Sequence, residues 1–230
     1  MSLLIVTGLL REARLLGGPG VRAIACGGEA GRRAAEVERL AATSSAIISI
    51  GLGGGLQPGL RPGDWVVAER ISDGATTVAT DAAWTRRLLR TLPGAKTGTI
   101  AGCDAAVAGP EAREALARAT GALAADMESH IAARAAAARR LPFAAARVIS
   151  DGAERTLPEA ALAGMRPDGA MDPLAVMGAL LRRPGELPAL IRTALEAERA
   201  FGALLRGRRL LGPTLGAPGA DLGELGVDVT

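Results

Sequence analysis

Seven short apolar runs, each bounded by glycine, proline or polar residues, alternate with alanine-rich stretches from the N-terminus to Asp151. Apolar runs of that length read as strands and the stretches between them as helices, so the alternation dictates a sheet covered by helices. The predicted strands are 3–7, 21–26, 46–50, 64–71, 97–101, 123–126 and 143–149. The predicted helices are 31–42, 82–91, 110–120 and 128–140, and Asp126 stands where it can cap the last of them.

Beyond Asp151 the pattern changes to a loop punctuated by proline and glycine, then two helical segments at 173–181 and 186–205. In the second, Leu187, Leu190, Ile191, Ala194, Leu195, Phe201, Leu204 and Leu205 recur at helical spacing, while Arg192, Glu196, Arg199 and Arg206 lie off that stripe. Such a helix either closes the core or lies on a membrane surface. From Gly212 the chain is rich in glycine and proline and lacks apolar periodicity. The expectation is one domain over 1–211 and a mobile tail over 212–230.

Composition removes several function classes. A chain of 230 residues suffices for one α/β domain with a sizeable core. No apolar run approaches the roughly 18 to 20 residues of a membrane-spanning helix. MSLLIVTGLL meets Arg11, Glu12 and Arg14 too early for a signal peptide. Cys26 and Cys103 are too few for a disulfide framework and lack metal-ligand spacing, which fits a reducing compartment, the cytoplasm, with membrane association as a further possibility through the C-terminal helix. A net charge of +3 with no Tyr, two Phe and two Trp gives no aromatic platform for nucleic acid.

Three separated segments carry the chemistry. In TGLLREARLL, residues 7–16, a strand turns at Gly8 and leaves Glu12 just past its end, the edge of an α/β sheet where ligands sit. Glu12 is also readable as a helix N-terminal acid favoured by the helix dipole. In SIGLGGGLQPGLRPGDWVVAE, residues 49–69, a strand runs into Gly51, Gly53, Gly54 and Gly55. A turn of glycines there would let backbone approach a ligand and present N–H groups to an anion or a ribose hydroxyl, or would only serve tight packing. In ALAADMESHIAARAAAARRLPFAAARVISD, residues 122–151, strand, helix and strand deliver Glu128 and Asp151 to one edge. An apolar strand ending in Ser150 and Asp151 places a carboxyl where partial burial can make it a proton donor.

Together these segments resemble nucleosidases that hydrolyse methylthioadenosine and adenosylhomocysteine, and their purine nucleoside phosphorylase relatives. DMES looks like that superfamily's Met-Glu ribose site, VISD like its Ser-Asp base site, and GLGGGL followed by PGD like its glycine loop. The similarity covers roughly residues 2–151. DMESH, the loop LPEAALAGMRPDGAMDPLAVM and the helix after it look most like the hopanoid-associated phosphorylase or nucleosidase branch, which is linked to releasing adenine from adenosylhopane.

The resemblance implies a mixed, twisted central sheet in a three-layer α/β/α domain. It implies a purine nucleosidase that converts a 5′-substituted adenosine, in this branch adenosylhopane, to adenine and the ribosyl product, ribosylhopane. Phosphorolysis of the same nucleoside, a methylthioadenosine/adenosylhomocysteine nucleosidase and a non-catalytic nucleoside-binding protein are the other readings. Asp151 would protonate N7 of the purine, Ser150 would steady it, and Glu12 would handle the attacking water. Glu128 would accept hydrogen bonds from the ribose hydroxyls, with Met127 against the sugar and Gly8, Gly51 and Gly53 lining the site. A homodimer is implied, with no metal or organic cofactor, and phosphate as co-substrate only in a phosphorylase. Arg11 and Arg14 flank Glu12, which leaves phosphate in contention. CDAAV, residues 103–107, offers no aromatic to stack on the base, and Leu52 makes the glycine segment greasier. His130, the only histidine, reads as structural, with a place near the substrate tail as the alternative.

Overall fold

The first strand, β1 (Leu3–Thr7), is apolar up to its last residue and buried along its whole length, as a strand covered on both faces must be. Parallel partners flank it, β2 (Val21–Ala25) on one side and β3 (Ala46–Gly55) on the other. Leu3 and Ile5 point into one core and Leu4 and Val6 into another, the period-two alternation of a pleated strand. The first core is completed from α1 (Leu10–Leu16), α3 (Ala82–Thr91) and α8 (Leu187–Leu211), with Trp84, Leu88, Phe201 and Leu204 buried in it. The second is closed by α2 (Ala30–Ala41) and α5 (Ser129–Arg139). Rich in alanine, α5 packs against both α2 and the sheet. This computed structural model describes residues 2–26, 30–164, 166 and 169–218, with backbone alone for 30–32.

The remaining elements are β4 (Trp65–Ser72), β5 (Thr77–Ala79), β6 (Lys96–Gly102), α4 (Pro110–Thr120), β7 (Ala122–Asp126), β8 (Phe143–Asp151), α6 (Glu159–Ala163) and α7 (Pro173–Arg182). The sheet is mixed, as expected. β8 runs parallel to β3 and antiparallel to β4, β4 and β7 each run parallel to β6, and β7 pairs antiparallel with the end of β3. Those pairings close a ring of five strands, β3, β8, β4, β6 and β7, from which β1 and β2 extend on one side and β5 on the other.

Ring closure corrects the reading of the glycine segment. The strand predicted to stop at Ile50 continues to Gly55, because β8 offers ladder partners up to Gly54 and β7 takes over at Gly54 and Gly55. The glycines are therefore strand rather than turn. The register shifts between Gly53 and Gly54, a bulge that lets the strand pass from one neighbour to the other.

The C-terminal helix also differs from its predicted form. Its second half closes the first core through Phe201, Ala203, Leu204 and Leu211, whereas Leu187, Ile191 and Leu195 of the same stripe are exposed. Glu196, predicted off the stripe, is buried, with Arg192 at 3.2 Å and Arg155 at 3.5 Å. Residues 212–218, the described part of the expected tail, lie on the first core. Trp84 Nε1 donates to the Leu215 carbonyl at 2.9 Å and Arg87 to that of Gly216 at 2.6 Å. Residues 219–230 lie outside the described set. Among the described residues no helix is long and apolar enough to cross a membrane.

Candidate active site

The carboxyl ends of β1, β3, β7 and β8 converge on a cavity of about 570 Å³. Ligands collect at such ends in α/β sheets. All eight residues singled out from the sequence lie at this convergence. Glu12, Glu128, Asp151, Met127, Ser150, Gly8 and Gly53 line the cavity, and Gly51 lies directly against the Glu12 carboxyl.

Glu12, on the first turn of α1, is buried, and its carboxylate accepts three backbone N–H groups: Gly8 at 2.9 Å, Leu9 at 2.8 Å and Leu52 at 2.7 Å. The Leu9 bond ties off the helix N-terminus, so both sequence readings of Glu12 hold at once: it caps α1 and it faces the cavity. Burial pushes its carboxyl above the ordinary range, against the opposing pull of the amides and of Arg147. A Cβ at Gly51 would sit 2.8 Å from the Glu12 carboxylate, and one at Gly8 2.8 Å from that of Glu128. These two glycines let carboxylates reach the backbone. Gly53 is tight for another reason, since a Cβ there would meet the Ala125 carbonyl at 2.9 Å.

Glu128 is the N-terminal cap residue of α5, with Asp126 accepting from the N–H groups of Glu128 at 3.0 Å and Ser129 at 2.8 Å. Arg147, on β8 and fully buried, lies 2.7 Å from Asp126 and 3.8 Å from Glu128, and donates to Ser49 Oγ at 2.6 Å. Three buried carboxyls, Glu12, Asp126 and Glu128, thus share this one guanidinium. Burial, then the charge of Asp126, push the Glu128 carboxyl up to about 8 against the pull of Arg147.

Asp151, the last residue of β8, accepts from Ser150 Oγ at 2.5 Å. Its surroundings are not the apolar ones expected. Arg113 of α4, almost fully buried, makes an ion pair with the carboxylate and also donates to the Gly152 carbonyl at 2.8 Å and the Val107 carbonyl at 2.9 Å. Arg113 was not legible from spacing. A buried arginine facing an acid 38 positions away leaves no periodic trace, and in sequence it is one polar residue of an amphipathic helix. Arg147 left a clue, a lone cation inside the apolar run FAAARVIS.

Arg33 of α2 and Arg166 also line the cavity; Arg33 donates to the Met127 carbonyl at 3.2 Å, and its Nε has no hydrogen-bond partner among the described residues. Arg11 turns away to Glu198 and the ring of Phe201, and neither it nor Arg14 lines the cavity. Cys26 lines the cavity, but burial pushes its thiol up to about 12, so it is no nucleophile near neutral pH. His130 is buried against Gly102, with Asp104 at 3.2 Å, and is not on the cavity wall. Its structural reading fits that position. Ala105, Ala106 and Val107 line one part of the cavity, as the sequence indicated. The part formed by the loop after β8 and by α8 is mostly apolar, with Leu157, Ala161 and Leu162 around α6, Met171 and Ala197, and with Arg166 and Thr193 as its polar members. Met165, Pro167 and Asp168 of the same loop lie outside the described residues. Among the described residues no group of His, Cys, Asp and Glu could hold a metal ion.

Comparison with known proteins bears on this arrangement. A family model described as the phosphorylase superfamily matches residues 4–182. No curated protein sequence matches. Among solved structures, a Streptococcus pneumoniae MTA/SAH nucleosidase in complex with 8-aminoadenine is similar at 20% identity, covering 92% of this chain and 100% of that one with a TM-score of 0.64. A Helicobacter pylori 5′-methylthioadenosine/S-adenosylhomocysteine nucleosidase bound to butyl-thio-DADMe-Immucillin-A aligns at 15% identity, over 90% and 97% of the two chains, with a TM-score of 0.60. A Helicobacter pylori futalosine hydrolase mutant aligns at 16% identity over 65% and 89%, with a TM-score of 0.56. Likeness at these identities establishes the fold.

Proposed function

The chain belongs to the phosphorylase superfamily, and from that premise we propose that it cleaves the N-glycosidic bond of a 5′-substituted adenosine by hydrolysis, releasing adenine. One observation carries this reading: Glu12, Glu128 and Asp151, from three distant stretches, border a single cavity of nucleoside size. The similar nucleosidases are in complex with 8-aminoadenine and with butyl-thio-DADMe-Immucillin-A, which supports an adenosine-type substrate.

In the proposed reaction the C1′–N9 bond breaks with its electron pair going to the purine, which becomes a good leaving group once N7 is protonated. Asp151, held by Ser150 and Arg113, takes up a proton from solvent and passes it to N7, returning to the carboxylate that pairs with Arg113. A water oxygen bonds to C1′ as the purine leaves, and Glu12 takes its proton. Burial makes Glu12 a stronger base, while its three amides hold the side chain in place. Glu128 receives the ribose hydroxyls, and Met127 lies against the sugar. The mostly apolar part of the cavity, at the loop after β8 and at α8, suits a large apolar 5′ substituent, and the sequence resemblance makes adenosylhopane the proposed substrate, with ribosylhopane as product. By the same resemblance the chain acts as a homodimer.

Phosphorolysis is the second reading, favoured by Arg33, whose buried guanidinium faces the cavity. Against it stands the Glu12 carboxylate, which would oppose a phosphate anion in the same space. The purified chain is to be incubated with adenosylhopane, methylthioadenosine, adenosylhomocysteine and adenosine, with and without phosphate, and adenine measured by chromatography. Adenine released without phosphate, fastest from adenosylhopane, is the expected result. Release that requires phosphate would replace water by phosphate as nucleophile, and no adenine from any substrate would return the chain to a binding role.

A further inference from the structure

Successive backbone N–H groups at the turn from β1 into α1 go to different partners. Those of Gly8 and Leu9 go to the Glu12 carboxylate, while that of Leu10, the first residue of α1, goes to the Gly169 carbonyl at 3.0 Å. A helix leaves its first amides without acceptors of its own, so a distant segment supplies what α1 lacks.

Gly169 belongs to the chain between α6 and α7, and that chain is itself pinned. The Asp172 N–H donates to the Gly164 carbonyl at 2.8 Å, the Arg166 N–H to the Ala170 carbonyl at 3.0 Å and the Gly169 N–H to the Arg166 carbonyl at 3.0 Å. Asp172 in turn accepts from the N–H groups of Leu174 and Ala175, at 3.0 Å each, where α7 begins. A loop tied in this way can bear on its neighbour. The contact is backbone on backbone: Gly169 is buried at a φ of +77°, and a Cβ there would lie 2.8 Å from the Gly8 carbonyl oxygen and 3.3 Å from the Leu10 nitrogen. Both the left-handed conformation and the close approach call for glycine. Gly8 is confined elsewhere too, since its own missing Cβ leaves room for the Glu128 carboxylate. It therefore meets Gly169 through its carbonyl, Glu12 through its N–H and Glu128 on the side where a Cβ would stand.

We infer that Gly169 is a positioning residue: its backbone braces the Gly8–Leu10 turn and so keeps two amides of that turn on the Glu12 carboxylate. Without the brace those amides drift, and Glu12 loses the aim that an attacking water depends on. That consequence for turnover rests on the nucleosidase reading; the brace itself does not.

Two variants break the contact from its two sides. Gly169→Asn sets a Cβ against the Gly8 carbonyl while keeping a residue that tolerates left-handed φ, which separates the contact from backbone strain. Leu10→Pro removes the N–H that Gly169 accepts. It does so at the first position of a helix, which favours proline, and after Leu9, whose φ of −109° and ψ of 146° suit the residue before a proline. Amide hydrogen exchange at Gly8 and Leu9, read by nuclear magnetic resonance, should quicken about tenfold or more in both variants, with β8 unchanged. The kcat for adenine release should fall on the order of ten- to a hundredfold and KM should move far less, because Glu12 handles the water and not the bound nucleoside. The inference is overturned if exchange at the turn stays at the wild-type rate in either folded variant, or if it quickens while kcat holds. Exchange that rises throughout the chain in both variants would make the contact one of general stability and would overturn it as well. If the wild type itself releases no adenine, exchange at the turn alone decides the brace, and the nucleosidase reading is what falls.

Discussion

Glu128 shares its interior with two other carboxyls and one guanidinium, and that crowding has a consequence for stability. Its carboxyl ordinarily titrates at 4.5 and in the folded chain at about 8. Between those values the folded chain keeps a proton that the unfolded chain has released, so the stability tied to Glu128 is full below 4.5 and lost as pH rises through about 8. Glu128→Gln removes that loss, and its melting temperature relative to the wild type should climb across this window. A difference that stays flat would contradict the buried, proton-holding carboxyl. Asp151 invites a separate pair of variants. Asp151→Asn retains an amide oxygen for Arg113, so folding should persist while adenine release falls about 10²- to 10⁴-fold; unimpaired turnover would remove Asp151 as the proton donor. Arg113→Ala leaves the Asp151 carboxylate buried without its cation and should cost about 3–5 kcal/mol in denaturant unfolding. A cost below about 1 kcal/mol would place that pair among those of no structural consequence.

Among the elements, β3 does the most to bring the site together, and it does so by lacking side chains. Its glycine end touches β8, then β7, and admits the Glu12 carboxylate at Gly51. Gly51→Ala puts a methyl group where that carboxylate now lies, and since Glu12 is held by the backbone on both sides it cannot swing away cheaply. Turnover should drop at least about tenfold with the chain still folded; kinetics beside a melting curve would show it, and unchanged turnover would detach Glu12 from the reaction. This element also marks where sequence reading stopped. The strands β1 and β8 and the helix α5 were legible because each is dominated by apolar or small residues, so local pattern decided them. The end of β3 was not, since glycine carries no periodic signal and its strand conformation comes from neighbours far away in the chain. The stripe on α8 misled for the opposite reason: the spacing is real, but spacing does not say whether core, solvent or another surface lies opposite each turn.

At the scale of the whole molecule, closure of the sheet is what converts a set of separate motifs into a site. Because β3, β8, β4, β6 and β7 form a ring, the ends of β7 and β8 arrive beside the extension of β3, and β1 leads into α1, whose first turn carries Glu12. The carboxylates could be listed from the sequence; their counter-cations Arg113 and Arg147 emerged only with the fold, because burial of charge is settled by tertiary packing. The proposed chemistry belongs to this assembled cavity rather than to any one strand. A single-turnover reaction with adenosylhopane, in phosphate-free buffer made with heavy-oxygen water, follows the fate of C1′ directly. Hydrolysis at this cavity predicts one heavy oxygen on the anomeric carbon of the ribosyl product for each adenine released. Adenine released with no label at that carbon, or no adenine at all, would contradict it.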